Sequence, residues 1–160
     1  MSDGILLTDY LIPHAGIDWN GALEAWSWLL PQGDLTLWLV NRCGDLFLVY
    51  GDETVHMLDM GRGTLTQVAA DRDDFALKMG DPRHASDWLL IPLINQIVAA
   101  GIVLAEGQCY GYRKLPILGG SYTVDNFAPI SVADFIGGCG TLHLQLKDLP
   151  DGTEVRITPE

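Results

Sequence analysis

The sequence of this 160-residue chain predicts an α+β fold: an antiparallel meander sheet of about four to five strands packed against three to four helices. Three observations support this prediction. Four short apolar runs between residues 35 and 69 are separated by turns rich in Gly and Asp, which is typical of a meander. Segments with helical spacing of apolar residues lie on both sides of this region. Hydrophobic residues make up 48% of the chain, which is enough for one packed domain.

The first helix is predicted over residues 20–30, with Asn20 as its N-cap and Pro31 at its end. Trp26 and Trp28 are two positions apart, so they cannot both face inward from one helix, and one of them is expected near the surface. An exposed Trp would be a candidate interface anchor. The strands of the meander follow, and the runs that predict them cover residues 35–40, 46–50, 54–60 and 64–69.

The second half is predicted to be mainly helical, with one long loop. The acids of residues 71–74 suit the first turn of a short helix. Ser86 or Asp87 is expected to cap the longest helix, which would run from about residue 88 to residue 100. Residues 102–130 are rich in Gly, Pro and Tyr, and we expect an ordered loop with one or two short strands.

Ser131 is expected to cap the last helix, which would run toward residue 146 although three glycines weaken its middle. A turn at 148–152 would then lead into a terminal strand at 153–157. The predicted organisation is an N-terminal arm at 1–19 and a single α+β domain at 20–160.

The charge of the chain excludes one large functional class. It has 21 acids and 9 Lys or Arg, for a net charge of −12, and residues 1–90 hold 14 of the acids but only five of the bases. A chain this acidic is not expected to bind nucleic acid or an anionic membrane through its net field, whereas a basic partner is permitted. No apolar run approaches the roughly 20 residues that span a bilayer, and the N-terminus lacks a signal-peptide pattern, so a cytoplasmic protein is expected.

Motifs for catalysis or metal binding are weak. None of the four histidines lies at a zinc-ligand spacing, and neither a GxSxG elbow nor a phosphate-binding glycine loop is present, so we predict no metal, cofactor or catalytic residue. One alternative stays open, which is a small-ligand binding module or an enzyme that uses the loop at 102–130. In that interpretation Cys109 would pair with His143, near Tyr110, Tyr112 and Tyr122.

Several phrases occur in an order that resembles a known family. They are WSWLLP at 26–31, GDLFL at 44–48, VHMLD at 55–59, GQCYGY at 107–112, PILGGSY at 116–122, His143, and KDLPDGT at 147–153. This succession resembles the C-terminal domain family of type VI secretion system DNase-immunity proteins over roughly residues 20–155. Longer members of that family carry a GAD-like domain before this one.

The resemblance implies a cytoplasmic, non-enzymatic protein that binds a cognate toxin, a basic nuclease, and blocks it without a covalent step. The family pattern supplies no catalytic residue. We interpret its motif residues as structural, and at Gly119 and Gly120 we expect positive φ or a close backbone approach. The motif residues are Gln108, Cys109, Tyr110, Gly111, Tyr112, Gly119, Gly120, Tyr122, His143, Asp148, Pro150, Asp151 and Gly152.

The acidic first half is the natural candidate for toxin contact, since opposite charges accelerate encounter with a basic partner. General acidity that only serves solubility is the alternative interpretation. The candidate contact residues are Asp45, Asp52, Glu53, Asp59, Asp71, Asp73 and Asp74.

Overall fold

The predicted meander forms the centre of the molecule. In the computed structural model, which describes residues 7–149, four strands make one antiparallel sheet whose order follows the chain. Short turns join the strands, as the Gly and Asp positions predicted. The strands are β1 (Leu35–Val40), β2 (Leu46–Tyr50), β3 (Val55–Asp59) and β4 (Thr64–Ala69).

Both faces of this sheet are covered. Along β2, Leu46 and Leu48 belong to the larger core cluster, whereas Phe47 and Val49 belong to a second, smaller cluster. Alternate residues of a strand point to opposite faces of the sheet. Since all four of these side chains are buried, both faces are covered by other residues. The larger cluster includes residues of the first and last helices, and the smaller one includes Phe75 and Trp88.

Residues 7–149 contain five α-helices, and the predicted single helix at 88–100 was wrong. The helices are α1 (Asn20–Glu24), α2 (Arg72–Lys78), α3 (Pro82–Leu89), α4 (Ile91–Ala99) and α5 (Val132–Leu146). Asp81 caps α3, where Ser86 or Asp87 was expected to cap, and Leu90 separates α3 from α4 in a left-handed conformation with φ of 53°. Pro92 has no N–H to donate to the Trp88 carbonyl, which instead accepts a hydrogen bond from Asn41 Nδ2 at 2.9 Å.

The first helix is shorter than predicted, since it ends at Glu24 and tight turns continue to residue 29. This change lets both neighbouring tryptophans point toward α5. Trp26 Nε1 donates to the Ile136 carbonyl at 2.9 Å, and Trp28 Nε1 donates to the Gly140 carbonyl at 3.2 Å. Trp26 is fully buried and Trp28, which stacks on it, is half-buried, so neither side chain is fully exposed.

The loop region contains two strands, as expected, but they form a sheet of their own. These strands, β5 (Gln108–Tyr112) and β6 (Phe127–Ser131), pair antiparallel. The intervening segment is held by Asn126, whose Nδ2 donates to the carbonyls of Lys114 and Ser121. Ser131 then caps α5, as predicted, by accepting from the Asp134 N–H.

Both ends of the predicted organisation extend beyond what the structure describes. The expected strand at 153–157 lies outside the described residues. From the arm predicted at 1–19, Ile12 is buried and its N–H donates to the Val40 carbonyl at 2.9 Å. The division into an arm and a domain stays a prediction. Among residues 7–149, no helix is long and apolar enough to cross a membrane.

Candidate interaction surfaces

Five of the seven candidate acids lie together at one end of the central sheet. The β2–β3 turn carries Asp52 and Glu53, and it lies beside the segment that joins β4 to α2, because Val55 pairs with Ala69. An ion pair of 3.6 Å between Arg72 and Glu53 connects the two segments. Asp34 lies at the same end, because it directly precedes β1, whose first residue pairs with the last residue of β2. We call this surface the acidic end; it consists of Asp34, Asp52, Glu53, Asp71, Asp73 and Asp74.

Several acids of the acidic end also stabilise local structure. Asp71 caps α2 by accepting the Asp74 N–H at 2.7 Å, and Asp52 accepts hydrogen bonds from both the N–H and the hydroxyl of Thr54. The bonds from Thr54 lower the pKa of Asp52, and bonds from the Ala70 N–H and Lys78 lower that of Asp74. These carboxylates therefore stay ionised at neutral pH. Six acids against Arg72 and Lys78 leave this end strongly negative.

Asp45 and Asp59 lie at the opposite end of the sheet, near the β1–β2 and β3–β4 turns. Asp45 is only 2% exposed, and its carboxylate accepts hydrogen bonds from Asn41 Nδ2 at 2.9 Å and the Met60 N–H at 2.8 Å. Burial, together with the nearby charge of Asp59, raises the pKa of Asp45 to about 7. The structure thus places Asp45 in the interior, where it fixes the turns.

A groove of about 600 Å³ opens beside this end of the sheet. Its floor is formed by side chains of β3 and β4, and one wall is formed by the end of α3 and the first half of α4. Asp45 reaches it from below, and two tyrosines of the second sheet and its loop close one side. The lining residues are Asp45, Met57, Asp59, Arg62, Thr64, Thr66, Val68, Ser86, Asp87, Trp88, Leu90, Pro92, Leu93, Gln96, Tyr112 and Tyr122.

Three side chains of this groove are accessible and suited to recognition. Asp87 lies on the wall and Arg62 lies at the β3–β4 turn, and both are exposed. Tyr122 is 41% exposed and packs edge-on against Tyr112 with 5.9 Å between the ring centroids. The neighbouring Tyr122 side chain, followed by the Asp59 carboxylate, raises the pKa of Arg62.

Sequence reasoning did not identify Asp87 and Arg62, which line the groove. Asp87 was assigned to a helix cap, whereas it lies in the last turn of α3. The sequence signal for the correct helix boundary is Asp81-Pro82, because Pro after an Asp is typical of a helix start. A helix that begins at Pro82 puts Asp87 near its end and not at a cap.

The Cys109–His143 pairing required by the enzyme alternative is not formed. Cys109 is buried, and burial followed by the nearby Cys139 thiol raises its pKa far above the usual range, so it stays a protonated, poor nucleophile. His143 is also buried, and its Nε2 donates to the Met60 carbonyl at 2.8 Å. Neither residue lines the groove.

The motif residues mostly fill tight places in the fold. Gly119 has φ of 95°, and a Cβ on Gly120 would overlap the Lys114 carbonyl oxygen, as expected for these two glycines. A Cβ on Gly111 would lie 2.6 Å from Ile130. The Tyr110 hydroxyl donates to the Ile102 carbonyl at 2.6 Å.

The first and last motif residues make local contacts. Gln108 accepts the Ala105 N–H through Oε1 at 2.9 Å. Asp148 forms an exposed ion pair of 3.0 Å with Lys147. Pro150, Asp151 and Gly152 lie outside the described residues.

A second cavity, of about 650 Å³, lies between residues 11–17 and the segment 102–108. Apolar side chains such as Ile12, Val103 and Leu104 form most of its lining, and Tyr110 is its one tyrosine. Tyr112, Tyr122, Cys109 and His143 are absent from it. Neither of these two cavities, both in the described part of the chain, combines the three tyrosines with Cys109 and His143 as the enzyme alternative requires, since Tyr112 and Tyr122 line the groove and Tyr110 lines the second cavity. Within the same part, no group of three or more His, Cys, Asp or Glu could hold a metal ion.

Comparison with known proteins confirms the resemblance seen in the motifs. Residues 69–143, from the end of β4 into the last turns of α5, match the model of a protein family described as T6SS immunity protein Tdi1, C-terminal, where T6SS denotes the type VI secretion system. No curated protein matches the chain. Among solved structures, Atu4351 from Agrobacterium tumefaciens has 16% sequence identity and a TM-score of 0.48. The match covers 76% of this chain, and the chain spans 61% of that protein's length.

Proposed function

We propose that this protein is an immunity protein, which binds and neutralises a cognate toxin delivered by a type VI secretion system. The observation that carries this proposal is the match of residues 69–143 to the immunity protein family. The matched segment contains α3, α4 and the second sheet, so it includes one wall and the tyrosine side of the groove. The groove floor comes mostly from the preceding meander, and the acidic end is divided between the two, with Asp71, Asp73 and Asp74 in the matched segment.

The toxin in this proposal is a DNase effector with a basic substrate-binding surface, and inhibition is non-covalent. A nuclease must hold phosphates, so its active surface carries positive charge. The net charge of −12 and the acidic end are complementary to such a surface. Non-covalent inhibition agrees with the burial of Cys43, Cys109 and Cys139, which leaves no accessible thiol on the chain.

The same proposal places the protein in the cytoplasm, where the DNA that it protects is found. It assigns the protein no enzymatic activity of its own and no direct partnership with nucleic acid or membrane. The net charge of −12 supports the absence of nucleic-acid and membrane partners, because phosphate backbones and anionic lipids are repelled by it.

The test uses the toxin encoded beside this gene. Co-expression should restore growth of cells that produce the active toxin. A catalytically inactive form of the toxin should co-purify with this chain, and the purified chain should inhibit DNA cleavage in stoichiometric amounts. An unrelated basic nuclease serves as the control, and it should remain uninhibited. The proposal fails if the neighbouring toxin neither co-purifies nor is inhibited.

A further inference from the structure

Asp87 is an exposed carboxylate of the groove wall that has no ion-pair partner among residues 7–149. It lies in the last turn of α3, where the negative end of the helix dipole disfavours a carboxylate. An exposed carboxylate without an ion-pair partner in the fold is available for a contact with a cation of another molecule.

The neighbours of Asp87 in the groove suit a positively charged group. Asp59, at the end of β3, also lines the groove, and the ring of Tyr122, which is 41% exposed, provides an aromatic face for a cation. Arg62 is the single base of the groove lining, and its backbone N–H donates to the Asp59 carboxylate at 3.1 Å. Arg62 forms no ion pair with Asp87 among residues 7–149, and the threonines of β4 supply hydroxyls along the floor.

We propose that this groove binds a Lys- or Arg-bearing extended segment of the cognate toxin, with the cationic side chain at Asp87. This inference rests on the proposed immunity function and adds the place and chemistry of one contact. Charge complementarity identifies the occupant, since the groove holds the carboxylates of Asp59 and Asp87 and the toxin is proposed to be basic.

The shape of the groove favours an extended peptide segment. The groove follows β4, the edge strand of the sheet, from Thr64 to Val68, and both Thr64 and Thr66 are exposed. The acidic end begins just after β4, at Asp71. A single basic segment can thus contact both surfaces, with the acidic end attracting it over a distance and the groove anchoring it.

The two surfaces are distinguished by binding kinetics with an inactive form of the neighbouring toxin. Asp87→Asn removes the anchoring charge, and Thr66→Arg puts a cation and extra bulk on the groove floor. We expect each variant to accelerate dissociation by about tenfold or more while association changes by less than about threefold. Thr141→Arg is the matched control, because Thr141 is an exposed residue on α5 that does not line the groove. It should bind like the wild-type chain.

The outcomes separate the two proposals. Wild-type binding that is weakened by Asp87→Asn and Thr66→Arg but not by Thr141→Arg supports the groove assignment. Wild-type binding that both groove variants retain overturns the groove assignment and leaves the immunity function intact. A wild-type chain that does not bind the toxin overturns the immunity function and this inference with it. Thermal unfolding of each variant confirms that the exposed substitutions leave the fold intact.

Discussion

Asp45 and His143 bind the two polar backbone groups of the same residue, Met60. Asp45 accepts the Met60 N–H at 2.8 Å, while His143 Nε2 donates to the Met60 carbonyl at 2.8 Å. The first contact holds the β3–β4 turn against the β1–β2 turn, and the second ties that turn to α5. Because Asn41 connects Asp45 to the Trp88 carbonyl, this buried network links the sheet to helices on both of its faces.

The network predicts an unusual pH dependence of stability. Burial and Asp59 raise the pKa of Asp45 to about 7, whereas an unfolded Asp titrates near 3.9. The folded state therefore binds the proton more tightly, and the stability from Asp45 is full below about pH 4 and is lost as the pH rises to about 7. Asp45→Asn should remove this contribution, which changes by at most about 1.4 kcal/mol per pH unit.

The measurement is urea unfolding of wild type and Asp45→Asn at about pH 5 and about pH 7.5. The stability advantage of wild type over the variant should be larger at the lower pH. Comparing the two proteins is necessary because burial lowers the pKa of His143, whose contribution has the opposite sign and is lost as the pH falls. A pH-independent difference would contradict the raised pKa of Asp45.

Two glycines of α5 should respond in opposite ways to the same substitution. A Cβ on Gly140 would lie 2.7 Å from the Ala25 carbonyl oxygen, whereas a Cβ on Gly138 would meet nothing within 4 Å. We expect Gly140→Ala to destabilise the fold by about 1–3 kcal/mol through steric overlap. Gly138→Ala should stabilise it by about 0.5–1 kcal/mol, because alanine is the better helix former. Denaturant unfolding measures both, and equal effects would contradict the close packing of α5 on residue 25.

The turn of the LGGSY motif provides a further stability test. Gly119→Val places a β-branched residue at φ of 95°, and Gly120→Val forces a side chain into the Lys114 carbonyl. Each change should cost at least about 1–2 kcal/mol, with the larger effect at Gly120 because backbone must move. Thermal unfolding is the readout. If both variants unfold at the same temperature as wild type, neither glycine is required for the stability of the fold.

The parts of the fold that depend on local signals could be predicted from the sequence. The meander has turns of Gly and Asp between apolar runs. Ser131 and Asp71 cap their helices by accepting the N–H of the residue three positions later in the chain. The break between α3 and α4 has a local signal in Pro92, but the donor that satisfies the free Trp88 carbonyl is Asn41, 47 residues away in sequence. The early end of α1 likewise accompanies indole contacts with α5, more than 100 residues away.

The candidate surfaces show the same limit. The acids of residues 71–74 and 52–53 could be recognised as charged from the sequence alone, but the pairing of Val55 with Ala69 is what brings them together. Asp45 looked like an exposed turn residue, yet it is buried by tertiary contacts. The groove could not be predicted, because its walls come from elements whose packing has no local sequence signal.

The cysteines should be unreactive in the native protein. All three are buried, and burial raises the pKa of each thiol. A thiol-specific reagent should label none of them at about pH 8 without denaturant and all of them in denaturant, since thiolates are the reactive form. Rapid native labelling of Cys109 would contradict this prediction and revive a nucleophilic role for the loop.

The acidic end should control how fast the toxin is captured. Reversal of Asp52 and Glu53 to Lys should slow association several-fold at low salt and flatten its salt dependence, because long-range attraction is screened by ions. Surface plasmon resonance with inactive toxin measures both rates, and dissociation should change little. Glu106 and Asp148 are exposed acids outside the acidic end. Their reversal to Lys alters the net charge equally and should slow association less. Equal slowing by both pairs would show that only net charge matters.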